Sequence, residues 1–204
     1  MDMGDGPGHK LFRLSGLCGI LTPVVAFTAI AASIASSPWF DWGRNALSDL
    51  GASGSPVAPL FNAGLVTSGL LATVFSYGLT RYVADKRGRA GASLILAASV
   101  ALALIGVFPE DMWPLHFAVS AAFFVLAPLG FLVLAISRLL RPEKVLRALG
   151  ALMLLSALAS GATWVFWALS GRTVGIAVPE AISAAFVAAW IIALGSRMAR
   201  SAVI

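Results

Sequence analysis

The sequence predicts an all-α membrane protein, a single bundle of six transmembrane helices. Of its 204 residues, 59% are hydrophobic and 11% are charged, whereas a soluble domain is about 45–50% apolar and about 25% charged. The chain also contains six apolar stretches close to the roughly 20 residues that a helix needs to cross a bilayer. This composition excludes an ordinary soluble enzyme. It also excludes a disordered chain, because disorder requires low hydrophobicity and high charge.

The six predicted spans form one domain with a short tail at each end. Within them only Glu180 carries a formal charge and only His116 carries an imidazole. Lys10 and Arg13 precede the first span as in a signal peptide, but its 23 residues exceed the roughly 7–15 of a signal peptide. We therefore interpret it as an anchoring helix. The first tail is predicted at 1–13, the transmembrane domain at 14–196 and the second tail at 197–204. The six spans of the domain are predicted at 14–36, 57–80, 90–108, 115–137, 148–169 and 177–196.

The distribution of basic residues predicts the orientation of the bundle. Twelve of the fourteen Lys and Arg residues flank one side, and only Arg44 and Arg172 lie on the other. Because cytoplasmic loops carry an excess of Lys and Arg, we expect a multi-pass protein of the cell membrane with both termini in the cytoplasm. The net charge of +5 then reflects topology and attraction to anionic lipid. We expect no nucleic-acid partner.

The longest loop on the predicted outer side, residues 37–56, carries several polar side chains. Its aromatic residues are typical of a belt at the membrane interface. Residues 45–51 predict a short helix that ends at Gly51. Asn62 follows in the second span, where we expect it to hydrogen-bond between helices.

The two other outer loops share a Pro-Glu pair. Pro109 precedes Glu110, and Pro179 precedes Glu180. We expect each pair to open a helix, because proline suits the first helical turn and a carboxylate there faces the positive end of the helix dipole. Both glutamates then have a structural interpretation as caps. Glu180 is also a functional candidate, because it lies in an apolar run and ionisable groups inside a bilayer usually mark function.

Three kinds of chemistry fit the carboxylates and the histidine of this side. Carboxylates with one imidazole can bind a divalent metal; the candidate ligands are Asp49, Asp111, His116 and Glu180. A His–Asp pair can act as a general base beside a serine nucleophile; the candidate catalytic residues are Asp49, His116, Glu180 and Ser48. Arginines can hold a lipid phosphate; the candidate binding residues are Asn45, Arg44, Asn62, Glu110, Asp111 and Arg172. No motif for haem or a nucleotide is present.

Several of these residues fall in short motifs, of which Ser-Asp-Leu-Gly at 48–51 and Phe-Pro-Glu-Asp at 108–111 followed by His116 are the most specific. With Asn45, Asn62 and the second Pro-Glu pair, they resemble the prokaryotic six-span membrane family called domain of unknown function 998. The resemblance covers nearly the whole chain. It implies a six-helix bundle, no established activity and no catalytic residue that carries over. The family is distantly similar to eukaryotic six-span proteins linked to lipid handling.

The sequence leaves three functions open. The first is a polar site at the outer face that binds or modifies the head group of a lipid or isoprenoid. The second is a non-enzymatic membrane scaffold or regulator that binds a partner protein. The third is a small-solute transporter, which the scarcity of polar residues inside the spans disfavours. The bilayer itself is the one partner that all three share.

Overall fold

Six long α-helices make up most of the structure, a computed structural model that describes residues 7–171, 173 and 175–200. No strand occurs among those residues. Each of the six helices is long and apolar enough to cross a membrane, so the predicted all-α, six-span fold is confirmed. The helices are α1 (Pro7–Ala35), α2 (Ala58–Tyr82), α3 (Lys86–Val107), α4 (Leu115–Leu139), α5 (Lys144–Leu169) and α6 (Ala177–Arg200), with a short 3₁₀ helix (Leu47–Gly51) between α1 and α2.

Several helices extend beyond the predicted spans at one end of the bundle. Helices α3 and α5 each begin four residues earlier than predicted, at Lys86 and Lys144, and α6 continues to Arg200. Hydropathy detects only the part of a helix that lies in hydrocarbon, whereas the backbone hydrogen bonds of the helix continue into the charged segment next to it. We call this end, where α1, α3 and α5 begin, the basic end, and the opposite end the acidic end.

The helices run alternately up and down and pack as a ring in chain order, with α1 also packing against α6. The contact between α5 and α6 is the least extensive between neighbours in this ring. Helix α5 is also the least buried of the six. Lipid therefore has more access to α5 than to the other helices.

Helices α2 and α3 pack closely against each other at a glycine. A Cβ atom added to Gly69 would lie 2.5 Å from the Cα atom of Ala103, so only glycine fits without a shift of backbone. Such small residues allow membrane helices to pack closely in the absence of a hydrophobic driving force between them. Gly161 on α5 differs, because it is exposed and an added Cβ would meet nothing within 4 Å.

Asp85 organises the basic end. Its Oδ1 atom accepts hydrogen bonds from the Gly88 backbone N–H and the Ser137 hydroxyl, both at 2.8 Å, and so caps α3 and links it to α4. Its Oδ2 atom pairs with Arg141 at 3.1 Å. Burial acts to raise the pKa of Asp85, but these three donors and the Arg141 charge lower it to about 2.

One of the two predicted Pro-Glu helix starts is wrong. Pro109 and Glu110 lie in a turn, and α4 begins only at Leu115. Pro179 and Glu180 do lie in the first turn of α6 as predicted. The difference arises because the segment after Glu110 contains a further proline, Pro114, which precedes the first residue of α4.

Candidate functional site

The loop between α1 and α2 covers the acidic end of the bundle. Its centre is the 3₁₀ helix, in which Leu47 and Leu50 are buried against the helices below. The predicted short helix at 45–51 is thus present, although it begins two residues later. Gly51 faces the side chains of Phe61 and Asn62 so closely that a Cβ atom would overlap them. The loop, residues 36–57, therefore packs tightly over this end of the bundle, and we call it the cover.

Contacts with three separate elements hold this cover in place. The Asn62 Nδ2 atom of α2 donates to the Gly51 carbonyl oxygen at 2.9 Å. The Ser53 backbone N–H donates to Asp111 at 2.9 Å, and the Ala177 N–H of α6 donates to the Asn45 carbonyl at 3.0 Å. The prediction that Asn62 links two spanning helices is therefore corrected. It fastens the cover to α2, because the 3₁₀ helix places a backbone carbonyl within its reach.

Asp49 caps the 3₁₀ helix that contains it. Its Oδ2 atom accepts hydrogen bonds from the Asn45 Nδ2 atom at 2.6 Å and from the Ala46 backbone N–H at 3.0 Å. Both donors lie three or four residues earlier in the chain, so the sequence 45–49 positions this carboxylate locally. Its donors are uncharged groups.

Glu180 joins the cover to α6. Its Oε2 atom accepts a hydrogen bond from the Leu47 backbone N–H at 2.8 Å, and the residue is only 8% exposed. The Oε1 atom receives no hydrogen bond from the described residues. Glu180 is also one of the residues that line an apolar cavity at the centre of the bundle, which we call the central cavity. A buried carboxylate with a single donor is costly unless further donors reach it.

Glu110 lies beside these two carboxyl groups. Its side chain hydrogen-bonds to Asp49 and lies within electrostatic range of Glu180. Burial, then the hydrogen bond to Asp49, then the nearby negative charges raise the pKa of Glu110 to about 8. Glu110 therefore holds its proton more tightly than an exposed glutamate does. We call Asp49, Glu110 and Glu180 the carboxyl cluster.

Asp111 is adjacent to this cluster in sequence but has a separate role. It is exposed, and its carboxylate accepts hydrogen bonds from the backbone N–H and the hydroxyl of Ser53. These bonds hold the pKa of Asp111 below its usual value. Asp111 thus fastens the cover from the outside and does not line the cavity.

His116 is buried in the first turn of α4. Its Nδ1 atom lies 2.7 Å from the Phe108 carbonyl oxygen, and its Nε2 atom lies 3.2 Å from the Ser120 hydroxyl. Because a carbonyl oxygen carries no proton, Nδ1 is the donor, which leaves Nε2 to accept from Ser120 in the neutral ring. The predicted His116–Asp49 pair forms no hydrogen bond among the described residues. Ser120 connects His116 to the cavity wall.

The central cavity lies directly below the cover and has a volume of about 100 Å³. Its wall consists of apolar side chains from every helix except α5, together with five polar residues. The polar residues of the wall are Thr22, Ser48, Ser99, Ser120 and Glu180. The hydroxyl groups of Thr22, Ser99 and Ser120 form hydrogen bonds with neighbouring residues of the bundle. The cavity is therefore almost entirely apolar, and Ser48 and Glu180 are the polar residues that line it at the acidic end.

The structure places the remaining predicted residues as follows. Ser48 is buried and contributes to the top of the cavity. Arg44 points away, since its side chain is 87% exposed and lies 3.7 Å from Asp41. Arg172 lies outside the described residues. In the described part of the chain, no basic side chain pairs with the carboxyl cluster.

No group of three His, Cys, Asp or Glu side chains is arranged to hold a metal ion among the described residues. Asp111 bonds to Ser53, and His116 bonds to Phe108 and Ser120. These contacts direct two of the four predicted ligands away from Asp49 and Glu180. The prediction of a divalent metal therefore gains no support here.

Sequence patterns did not reveal four features of the site. Ser53 and the Leu47 N–H are partners of carboxylates distant in the chain, and nothing local marks them. Ser120 was detectable in principle, because it lies four residues after His116 and therefore on the same helix face. The cavity depends on packing between five helices and has no signature in any one of them.

The fold and the site define a polytopic α-helical membrane protein with an apolar cavity beneath a cluster of carboxyl groups. Residues 20–197 match the family described as "Protein of unknown function (DUF998)", and the chain belongs to that family. The resemblance drawn from the motifs is thus confirmed. Comparison with curated proteins found no match, and neither did comparison with solved structures.

Proposed function

We propose that the protein binds an amphipathic lipid or isoprenoid at the acidic end of the bundle. The observation that carries the proposal is the position of Glu180, a buried residue with a carboxyl group that lines the acidic end of an apolar cavity. A ligand with an apolar chain and a polar head matches this distribution of polarity. Ligand sites of this kind are concave and mostly apolar, with a few polar groups that fix orientation.

The carboxyl cluster favours a head group that donates hydrogen bonds. Glu180 is the member of this cluster that lines the cavity, and it has an oxygen atom with no donor among the described residues. Hydroxyl and ammonium groups donate to carboxylates, whereas a phosphate would be repelled by them. We therefore propose a polyol, alcohol or amine head group. Arg44, directed towards Asp41, is not needed for this recognition.

The apolar wall favours a hydrocarbon chain over water. Apolar cavities of comparable size, about 150 Å³, stay dry and take up apolar molecules such as benzene. A lipid chain that enters from the bilayer moves between two apolar environments, so close packing against the wall, rather than transfer from water, stabilises it there.

The test is the amount of lipid that remains bound after purification in mild detergent, measured by mass spectrometry. Ala184→Phe places a large side chain in the cavity wall. Overpacking between the added ring and a bound chain costs about 1–3 kcal/mol, so we expect a roughly tenfold loss of bound lipid. Glu180→Gln keeps the shape but replaces the carboxyl group with an amide, and we expect it to weaken binding of the same lipid.

Ala185→Phe is the matched control, because Ala185 is the next residue of α6 and is exposed. We expect it to retain the bound lipid of the unmodified protein. Equal retention by both phenylalanine variants would refute the cavity as the binding site. Retention of no lipid by the unmodified protein, under conditions that preserve its helical content, would favour the scaffold alternative.

We further propose that the carboxyl cluster faces the outside of the cell membrane and that both termini are cytoplasmic. The concentration of twelve basic residues at the basic end supports this orientation, since such residues are retained on the cytoplasmic side. The acidic end carries aromatic residues typical of an interface, among them Trp39 and Trp42, which are exposed.

Cysteine labelling of intact cells tests the orientation. In a Cys18→Ser background, Gly54→Cys adds a thiol to the cover at an exposed position where a Cβ atom meets nothing within 4 Å. Arg87→Cys adds one at an exposed position of the basic end. A membrane-impermeant maleimide should label Gly54→Cys in intact cells and Arg87→Cys only after lysis. The reverse pattern would invert the proposed topology.

A further inference from the structure

Ser120 makes a hydrogen bond that distinguishes it from other hydroxyl residues within the helices. Such hydroxyl groups commonly bond to the carbonyl oxygen four residues earlier, and in this bundle Thr22, Ser99 and Ser156 do so. Ser120 instead bonds to the side chain four residues earlier, with 3.2 Å between its Oγ atom and the Nε2 atom of His116. The hydroxyl group of Ser120 is therefore directed to an imidazole rather than to the backbone.

A second hydrogen bond orients this imidazole. The Nδ1 atom of His116 lies 2.7 Å from the Phe108 carbonyl oxygen and donates to it, which leaves the lone pair of Nε2 facing Ser120. A nucleophile within hydrogen-bonding reach of a base, with a third group that orients the base, is the arrangement of activated serines in enzymes. In this chain a backbone carbonyl takes the place of the carboxylate of a catalytic triad.

This pair reaches the central cavity through Ser120. Ser120 belongs to the cavity wall and lies in the second turn of α4, at the acidic end of the bundle. Glu180, in the first turn of α6, lines the cavity at the same end. In an acyl ester lipid the carbonyl carbon lies between the head group and the chain. A lipid with its head group at Glu180 and its chain in the cavity would therefore place its ester in the part of the cavity that Ser120 lines.

We propose that Ser120 is a nucleophile activated by His116, and that it accepts the acyl group from an ester of the lipid bound in the central cavity. The Ser120 Oγ atom forms a bond to the carbonyl carbon while its proton passes to the Nε2 atom of His116. The bond between the carbonyl carbon and the ester oxygen then breaks, and His116 returns the proton to the released alcohol. A second alcohol or water removes the acyl group from Ser120 by the same steps in reverse. This inference rests on the function proposed above, because the cavity must first admit the lipid.

Labelling of the full chain in mild detergent by a long-chain alkyl fluorophosphonate tests the proposal. The reagent forms a bond between its phosphorus atom and an activated serine oxygen, fluoride leaves, and the proton of the serine passes to the base. Peptide mass spectrometry locates the label, which we expect on Ser120 of the unmodified protein, a result that needs no variant. Ser120→Ala should abolish this label.

His116→Gln separates the base from a merely structural side chain. Glutamine keeps a donor for the Phe108 carbonyl but is not a base. General-base catalysis typically contributes about 10²–10⁴ in rate, so this variant should label at least about a hundredfold more slowly. Thermal unfolding of each variant shows whether it is folded.

Ser156→Ala is the matched control, because Ser156 is, like Ser120, a half-buried serine within a helix, but it bonds to a backbone carbonyl. We expect it to label at the rate of the unmodified protein. An absence of label on Ser120, or equal rates with and without His116, would overturn the inference. Bound lipid in the same preparation would then leave the proposed function intact. Label on Ser120 in a protein that retains no lipid would support the activated serine and contradict the proposed function instead.

Discussion

We expect the protein to lose stability as the pH rises from about 4.5 to about 8, and Glu110→Gln to remove a substantial part of that loss. The hydrogen bond to Asp49 and burial raise the pKa of Glu110 from 4.5 to about 8, with burial the larger cause. The folded state therefore binds this proton more tightly than the unfolded chain does. Its contribution to stability is complete below pH 4.5 and is lost as the pH rises through about 8.

The size of the effect follows from the pKa and from the exposure of Glu110. One pKa unit corresponds to about 1.4 kcal/mol, but Glu110 is only partly buried and solvent screens its charge. We therefore expect a change of about 2 kcal/mol across the window, well below the unscreened value. Glutamine keeps a donor to Asp49 and does not ionise, so the variant should be the more stable protein at pH 8.

Denaturant unfolding in detergent, followed by tryptophan fluorescence at pH 5, 6.5 and 8, measures this difference. Glu143→Gln is the control, because Glu143 is an exposed glutamate at the other end of the bundle. It should keep the pH dependence of the unmodified protein. If Glu110→Gln keeps that dependence too, Glu110 does not share a proton with Asp49.

Gly69→Ala is expected to destabilise the protein by about 3 kcal/mol. The added methyl group would lie 2.5 Å from the Cα atom of Ala103, and a backbone atom cannot move aside without shifting α3 against α2. Overpacking of this kind typically costs about 1–3 kcal/mol. Gly161→Ala is the matched control, since nothing lies within 4 Å of its Cβ position.

Thermal unfolding of the two alanine variants in the same detergent compares these positions. Gly161→Ala should leave the melting temperature unchanged or raise it slightly, because alanine favours a helix over glycine by about 1 kcal/mol. Gly69→Ala should lower it by several degrees. Equal melting temperatures would mean that α2 and α3 are not in contact at Gly69.

The sequence predicted the fold well because the requirement that determines it is local. A bilayer demands about 20 apolar residues per helix, and a window of that length can be read from one segment at a time. The prediction of a helix start from a Pro-Glu pair failed at Pro109 and Glu110, where the backbone forms a turn before α4 begins at Leu115. A cap pattern alone does not distinguish a helix start from a turn.

The candidate site was predictable only in part. Asp49, Glu110 and Glu180 were expected on one side of the membrane, because topology places them there, but whether they meet was left open. Their hydrogen-bond partners could not be predicted, since the Leu47 N–H reaches Glu180 only after the cover has folded onto α6. His116 was expected beside Asp49, but bonds within its own segment direct it to Phe108 and Ser120.

The most direct test of the central claim is an electron cryo-microscopy map of the protein in nanodiscs that retain native lipid. We predict an elongated density in the central cavity, with its polar end within hydrogen-bonding distance of the Glu180 carboxylate and its apolar end near Pro23. A map that resolves Glu180 bonded to Leu47 above an empty cavity would contradict the claim that this bundle binds an amphipathic ligand.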